Sequence, residues 1–211
     1  YTQGQFPEDV RRVVLLPINL PQSDEHLRDT IQDTAVAQAV RTNLFEVVEV
    51  DSDSLAQFTG RAHFNSTEQL PSNLLDVVRN HYAADAILFN DITYYDPYQP
   101  IKMGVRSKLI SAADGSAIWA FDDYFDAGDP RVTSAALQFE ESNRKQAYPF
   151  GKETAILKSP QQFSNYAFAT AYATMPKRSR PLPNVPEGYP RSVVEKMPKH
   201  PSSESNSQIP Q

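Results

Sequence analysis

The acidic residues best placed for metal or acid–base chemistry are Asp122, Asp123, Asp126 and Asp129. A hard cation such as calcium needs several oxygens that converge on one loop. In a strand, however, alternate side chains point to opposite faces, so Asp122 and Asp126 lie on one face and Asp123 on the other. Asp129 precedes a proline at a predicted helix start. We therefore interpret the group as a polar strand end.

The other reactive side chains form no recognisable site. The histidines at positions 26, 63, 81 and 200 are far apart, and none has a second ligand at zinc spacing. Cysteine is absent, which excludes disulfides, thiolate metal sites and thiol catalysis. There is no Gly-x-Ser-x-Gly and no glycine-rich phosphate loop. The sequence therefore predicts no catalytic residue, no cofactor and no metal, as in a protein that is not an enzyme.

Three tyrosines are the candidate partner-binding residues. Tyr94, Tyr95 and Tyr98 lie beside Pro97 and Pro100, between two predicted strands. Exposed tyrosines supply contact area to protein interfaces at a low cost in entropy. The alternative is that these tyrosines only cover the end of a sheet beside a proline-shaped turn.

The charge of the chain is uneven. Residues 176–211 hold six Lys or Arg and three Asp or Glu, whereas residues 1–175 hold 14 basic and 23 acidic residues. An acidic body without a basic stripe argues against nucleic-acid binding, because phosphate neutralisation dominates that affinity. The apolar runs are also shorter than the roughly 18 residues of a membrane span.

The elements that position these residues alternate between strand and helix. Continuous apolar runs predict buried strands, and apolar residues at helical spacing predict amphipathic helices. The predicted strands cover residues 11–18 and 44–50 and a three-stranded meander over residues 85–126. The predicted helices cover residues 23–42, 54–58, 73–82, 129–144 and 159–174.

Local signals support several of these boundaries. Asp114-Gly115 separates the last two strands of the meander and is typical of a type I′ hairpin. Asp129-Pro130 and Ser159-Pro160 each place a capping residue before proline at the first helical position. Ser23 can cap the first long helix. Trp119 shares a strand face with Ala117, Phe121 and Phe125, so we expect it to be buried between the sheet and a helix.

We predict one domain with two appended segments. An amino-terminal arm covers residues 1–10, and an α/β domain covers residues 11–175. Residues 176–211 form a tail that contains 8 of the 17 prolines and has no apolar periodicity, which indicates a disordered or extended segment. The predicted fold is a mixed sheet with a parallel first half and an antiparallel three-stranded meander, with helices packed on the sheet.

Four segments carry a resemblance to a known family. They are Arg11–Pro17 (RRVVLLP), Phe45–Glu49 (FEVVE), Ala83–Leu88 (AADAIL) and the run from Asp114-Gly115 to Ala117-Ile118-Trp119. In this order and spacing they resemble the bacterial envelope lipoproteins related to the curli secretion protein CsgG, the peptidoglycan-synthase activator LpoB and the amino-terminal domain of TolB. The resemblance covers residues 11–174.

The resemblance implies a non-enzymatic periplasmic domain. It would be tethered to the outer membrane by a lipidated cysteine upstream of Tyr1, which would be its contact with the membrane. Its partners would be envelope proteins or further copies of itself, in envelope biogenesis or secretion. Two departures are notable. Asn90 and Asp91 stand near the position of the family's usual glycine, and the long hairpins with which CsgG spans a membrane are absent, which argues against a pore.

Two other functions stay open on the sequence. Within the family, the domain could regulate a peptidoglycan synthase. In another class, a glycan hydrolase could use an Asp/Glu pair, and such an enzyme needs two carboxylates about 5 to 10 Å apart in a cleft.

Overall fold

The computed structural model describes residues 1–2, 4–20, 25–71, 73–143, 155–179 and 192–194. The strands are β1 (Arg12–Leu15), β2 (Glu46–Glu49), β3 (Ala86–Asp96), β4 (Lys102–Ser111), β5 (Ala117–Asp126) and β6 (Ser192–Val194). The α-helices are α1 (Glu25–Arg41), α2 (Ser52–Thr59), α3 (Leu74–Asn80), α4 (Pro130–Asn143) and α5 (Pro160–Ala173), and Ala155–Leu157 form a 3₁₀ turn.

The strands form one mixed sheet in the order β5-β4-β3-β1-β2, with β6 added beside β2. β1 is parallel to both β2 and β3, whereas β3, β4 and β5 are antiparallel neighbours. This arrangement confirms the predicted fold class. β1 is the central parallel strand, and Val13, Val14 and Leu15 are fully buried because both faces of the sheet are covered there.

The two faces of the sheet carry separate hydrophobic clusters. The first cluster joins the sheet to α1 and α5 and contains Ile31, Ala35, Ala39 and Phe168. The second joins it to α2 and α3 through Leu55, Leu74 and Val78. Trp119 is fully buried in the first cluster, and its Nε1 donates a hydrogen bond of 3.0 Å to Thr174 Oγ1, which confirms its predicted position.

The predicted hairpin is present, but its turn differs from type I′. Gly115 has a φ of +73°, whereas Asp114 does not have positive φ, and type I′ requires it at both residues. Ser111 N–H bonds Ser116 O at 2.9 Å, so four residues close the loop. Asp114 instead accepts hydrogen bonds from the backbone N–H and hydroxyl of Ser116, which lower the pKa of its carboxyl.

The two proline-containing helix starts have the expected capping contacts. Ser159 Oγ accepts a hydrogen bond from Gln162 N before Pro160, and Asp129 Oδ1 accepts one of 2.8 Å from Arg131 N before Pro130. The cap expected at Ser23 lies outside the described residues. No α-helix within the described ranges combines the length and apolar character that a bilayer crossing needs.

Residues near both ends of the described domain pack against its body. Thr2 bridges Trp119 in antiparallel fashion, and Phe6 is buried. Arg178 donates to the carbonyl oxygens of Leu44 and Val10, and its guanidinium lies 4.9 Å from the centre of the Phe6 ring. The first residues of the predicted tail therefore contact the domain, and Ser192–Val194 pair with β2. The rest of the predicted tail lies outside the described residues, so its disorder and the three-segment division stay predictions.

Candidate binding surface

A tyrosine pair lies across the outer half of the meander. The strand register places Tyr94, Gly104 and Tyr124 in one row across β3, β4 and β5. The two rings are 5.7 Å apart, and their side chains are 49% and 47% exposed. Met103, Val105 and Phe125 alternate with this row and are buried beneath α5, so the pair projects from the opposite face. We call this side of β3, β4 and β5 the tyrosine face.

Gly104 lets the two rings approach each other. A Cβ at this position would lie 3.1 Å from Tyr94 N and would collide with Thr93 Oγ1. The register of β3 shifts between Ile92 and Tyr94, which brings Thr93 towards the glycine. The tyrosines thus cover a backbone position that no other residue can occupy without movement.

Ion pairs flank the tyrosine row on both sides. Arg106 Nε is 2.7 Å from Asp122 Oδ2, and Lys102 Nζ is 3.4 Å from Asp126 Oδ2. Asp126 raises the pKa of the Lys102 ammonium through its charge. Asp122 and Asp126 therefore share the tyrosine face, as alternation predicts, and Asp129 caps α4. These partly exposed pairs add little to stability, but they fix the charge pattern around the rings.

The three tyrosines selected from the sequence occupy different environments. Tyr94 is on the tyrosine face, and Tyr98 is in the β3–β4 turn with 80% of its surface exposed. Tyr95 points to the other face, packs against the first hydrophobic cluster, and has a phenol pKa raised by burial. The structure thus brings Tyr94 and Tyr98 to the same exposed end of the sheet. It places Tyr95 among the residues that cover the first hydrophobic cluster.

Tyr124 is a surface residue that sequence reasoning missed. A two-residue turn at Asp114-Gly115 would pair Gly104 with Phe125, whereas the longer loop and the shift between Leu109 and Ile110 pair it with Tyr124. A one-residue change of register moves every side chain to the other face. The available signal was a tyrosine with an aspartate two residues away on either side, an arrangement that places all three on one strand face. That signal could not identify the residue opposite Tyr124 on β4.

All large apolar side chains that are exposed in the described residues are tyrosines. They are Tyr1, Tyr94, Tyr98 and Tyr124. Tyr1 lines a groove on the tyrosine face with Ser66, Arg106 and Lys108. An aromatic patch rimmed by polar residues is typical of a protein-interaction surface.

Asn90 and Asp91, where the sequence departs from the lipoproteins that it resembles, are buried and organise polar contacts. Asn90 Oδ1 accepts hydrogen bonds from Ser107 Oγ at 2.6 Å and Tyr172 Oη at 3.0 Å. Asp91 accepts from Ser66 N at 3.0 Å and from the Ser66 hydroxyl. Burial raises the pKa of the Asp91 carboxyl, although the bonds from Ser66 oppose the shift. These contacts join the sheet to α5 and to the loop before α3.

A second concave region lies beyond the carboxyl ends of β1 and β2. The chain leaves β1 for α1 on one face and leaves β2 for α2 on the other, which is the point where α/β sheets commonly bind ligands. The pocket is lined mainly by charged and polar side chains from both connections. They are Glu25, Arg28, Asp29, Gln32, Glu49, Asp51, Ser52 and Asp53.

Two carboxyls of this pocket have opposite pKa shifts. Burial raises the pKa of Glu49 above 4.5, the hydrogen bond from Gln32 Nε2 at 3.1 Å opposes the shift, and Asp33 and Asp29 add to it. Burial also acts to raise the pKa of Asp51, but hydrogen bonds from the Ser54 backbone N–H and hydroxyl outweigh it, so the pKa is lowered overall. Asp51 is the N-cap of α2, so that contact also has a structural purpose.

The three histidines that the structure describes do not come together at either place. His26 is exposed on α1, and His81 packs against Phe58 with ring centres 4.5 Å apart. Burial and the charge of Arg28 lower the pKa of His63. His200 lies outside the described residues.

Comparisons with known proteins identify low-similarity structural neighbours. PelC from Paraburkholderia phytofirmans, solved as a dodecamer, is 12% identical over 82% of this chain and 91% of that chain, with a TM-score of 0.46. Lipoprotein GNA1162 from Neisseria meningitidis is 12% identical over 64% and 99%, with a TM-score of 0.44. The LpoB C-terminal domain from Escherichia coli is 12% identical over 54% and 81%, with a TM-score of 0.33.

No protein-family model and no curated protein sequence matches the chain. The neighbours include LpoB, which the sequence resemblance also named. The relation of this chain to those envelope lipoproteins stays a prediction.

Proposed function

We propose that this domain acts by binding another protein through the tyrosine face. The observation that carries the proposal is that all exposed large apolar side chains of the described residues are tyrosines, and that Tyr94 and Tyr124 are in contact on one face of the meander. Tyrosines that fill pockets of a partner commonly dominate interface energy. Tyr94 and Tyr124 are already held against each other, so they lose little further freedom on binding.

We also propose a cellular location for the domain. The sequence resemblance to envelope lipoproteins supports a periplasmic domain tethered to the outer membrane by a lipid upstream of Tyr1. The partner would then be another envelope protein or a second copy of the chain. Regulation of a peptidoglycan synthase is one specific form of this function.

The test is a Tyr94→Ser/Tyr98→Ser/Tyr124→Ser variant. We expect it to keep the circular dichroism spectrum of the wild type and to lose partner capture from envelope extract or its self-associated mass in solution. Loss of even two of the three aromatic contacts, at about 2 kcal/mol each, corresponds to a fall in affinity of several hundredfold.

The matched control is Tyr95→Ser, which changes a tyrosine on the opposite face. It should leave partner capture intact, although it removes contacts with the first hydrophobic cluster and so lowers the melting temperature. A folded triple variant with unchanged partners and unchanged mass would eliminate the tyrosine face as the binding surface.

Glycan hydrolysis is the second candidate function, because Glu49 and Asp51 line one pocket with opposite pKa shifts. Environments that separate the pKa values of two carboxyls are typical of acid and base pairs in glycosidases. Glu49 would be the general acid, since burial favours its protonated form.

The hydrolase hypothesis predicts release of reducing ends from purified peptidoglycan, with loss of that activity in Glu49→Gln. The matched control is Glu46→Gln, which lies on the same strand and does not line the pocket. Absence of reducing-end release by the wild type between pH 4 and pH 8 would exclude this candidate.

A further inference from the structure

The outer edge of β5 is already used for strand pairing over part of its length. Tyr1 N donates to Ala120 O at 2.9 Å, and Ala120 N donates to Tyr1 O at 2.9 Å. With the bridge between Thr2 and Trp119, these bonds form a short antiparallel ladder. The backbone of this edge is therefore able to pair with an added antiparallel strand.

This ladder covers only the part of the β5 edge at Trp119 and Ala120. Because outward-facing backbone groups recur at every second residue, those of Asp122 and Tyr124 continue the direction set by Ala120. Within the described residues no strand lies opposite them. Tyr124 N instead donates a 2.8 Å hydrogen bond to Asp123 Oδ1, the carboxylate of the preceding residue. This local contact protects the edge in the unbound domain, as charged residues commonly do on edge strands.

The charge around this edge specifies the chemistry of an added segment. The outer half of the meander contains four exposed or partly exposed aspartates, at positions 96, 122, 123 and 126, and two cations, Lys102 and Arg106. Both cations are paired, whereas Asp123 is exposed and has no ion pair among the described residues. Two β5 edges placed against each other would oppose these aspartates, so pairing with a second copy is disfavoured.

We infer that the edge from Phe121 to Phe125 accepts an extended segment of a partner protein that carries lysine or arginine, as an added antiparallel strand. This inference rests on the proposed binding function and states the chemistry of the partner. Main-chain hydrogen bonds would provide affinity, and the aspartates and Tyr124 would provide selectivity. Asp123 releases Tyr124 N–H when the strand binds.

The probe is a fluorescein-labelled seven-residue peptide, Thr-Lys-Val-Lys-Thr-Lys-Val, with the same peptide carrying glutamate for lysine as its control. Fluorescence anisotropy with the full chain should show at least tenfold tighter binding of the lysine peptide in 50 mM salt. The preference should fall in 500 mM salt, because screening weakens exposed charge pairs. Equal binding of the two peptides would overturn the inference.

The backbone contribution is tested with Tyr124→Pro and Tyr124→Val. Proline removes the outward N–H at an edge position where the sheet tolerates it, whereas valine removes the ring and keeps the donor. We expect at least a tenfold loss of peptide affinity in Tyr124→Pro relative to Tyr124→Val. Equal affinities in two folded variants would show that no strand is added here.

A second measurement keeps the protein unchanged in case Tyr124→Pro does not fold. Two lysine peptides carry N-methyl groups at either the odd or the even positions, so each blocks one edge of the extended peptide. One peptide should lose binding and the other should retain it. Retention by both would contradict strand addition. If the Tyr94→Ser/Tyr98→Ser/Tyr124→Ser variant still loses its partner in that case, the tyrosine face stands and only the edge is excluded.

Discussion

Two carboxyl groups in this domain, those of Asp91 and Glu49, have pKa values raised by burial. Asp91 is buried in the sheet and is compensated by donors from Ser66 and Asn19. Glu49 lies at the end of β2 with one side-chain donor among the described residues, Gln32, and several acidic neighbours. Glu49 is therefore the carboxyl whose charge is less well compensated, and its ionisation should affect stability.

Glu49→Gln should make the domain more stable at pH 7 and leave it unchanged at pH 4. Because burial raises the pKa of Glu49 in the folded state, the unfolded chain binds fewer protons just above pH 4.5, and the free energy of unfolding falls as pH rises through that range. Glutamine keeps an acceptor for Gln32 and carries no charge. Melting temperatures of both proteins from pH 4 to pH 8 measure the effect. A wild type that gains stability relative to the variant as pH rises would contradict it.

At the scale of the elements, local sequence signals predicted the strands and helices but not the pairing register of the strands. Apolar runs and capping residues predicted β1 to β5 and α1 to α5 close to their observed bounds, because these signals act within a few residues. The row of Tyr94, Gly104 and Tyr124 depends on loop length and two register shifts. Those features arise from packing across the sheet, and the sequence pattern alone could not specify them.

Gly104→Ala should destabilise the meander by about 1–3 kcal/mol, because the new methyl group overlaps Thr93 and crowds Tyr94. Urea denaturation measures the change. The control is Gly128→Ala, where the added Cβ would lie 3.0 Å from Asp126 Oδ1, the end of a partly exposed side chain, and 3.4 Å from Pro100. Equal stability of Gly104→Ala and the wild type would show that the tyrosine row does not need a glycine beneath it.

At the scale of the whole molecule, the two ends of the described domain are joined. Arg178 contacts three backbone carbonyls, from Glu8, Val10 and Leu44, and lies over the Phe6 ring. Burial lowers the pKa of this guanidinium, and Arg11 acts in the same direction. The proline-rich composition after residue 175 predicted a domain boundary at that point. A single arginine within this polar stretch gave no indication that it contacts the body of the domain.

Arg178→Ala should reduce the free energy of unfolding by about 2 kcal/mol, since it leaves partly buried carbonyls without a donor. For a domain of this size, the melting temperature should fall by about 4–8 °C. Lys177→Ala is the matched control, because its neighbouring side chain is exposed, and a surface change of that kind costs about 0.5 kcal/mol or less. Equal melting temperatures for the two variants would show that the arginine contacts are not needed.

The central position of β1 has a consequence for how the protein is made. This strand leaves the ribosome before its neighbours β2 and β3, which begin 34 and 74 residues later along the chain. Its apolar side chains, fully covered in the finished sheet, therefore have no partner strand while translation proceeds. The nascent chain must keep this segment from aggregating until β3 emerges, which makes β1 the natural place for a chaperone to bind.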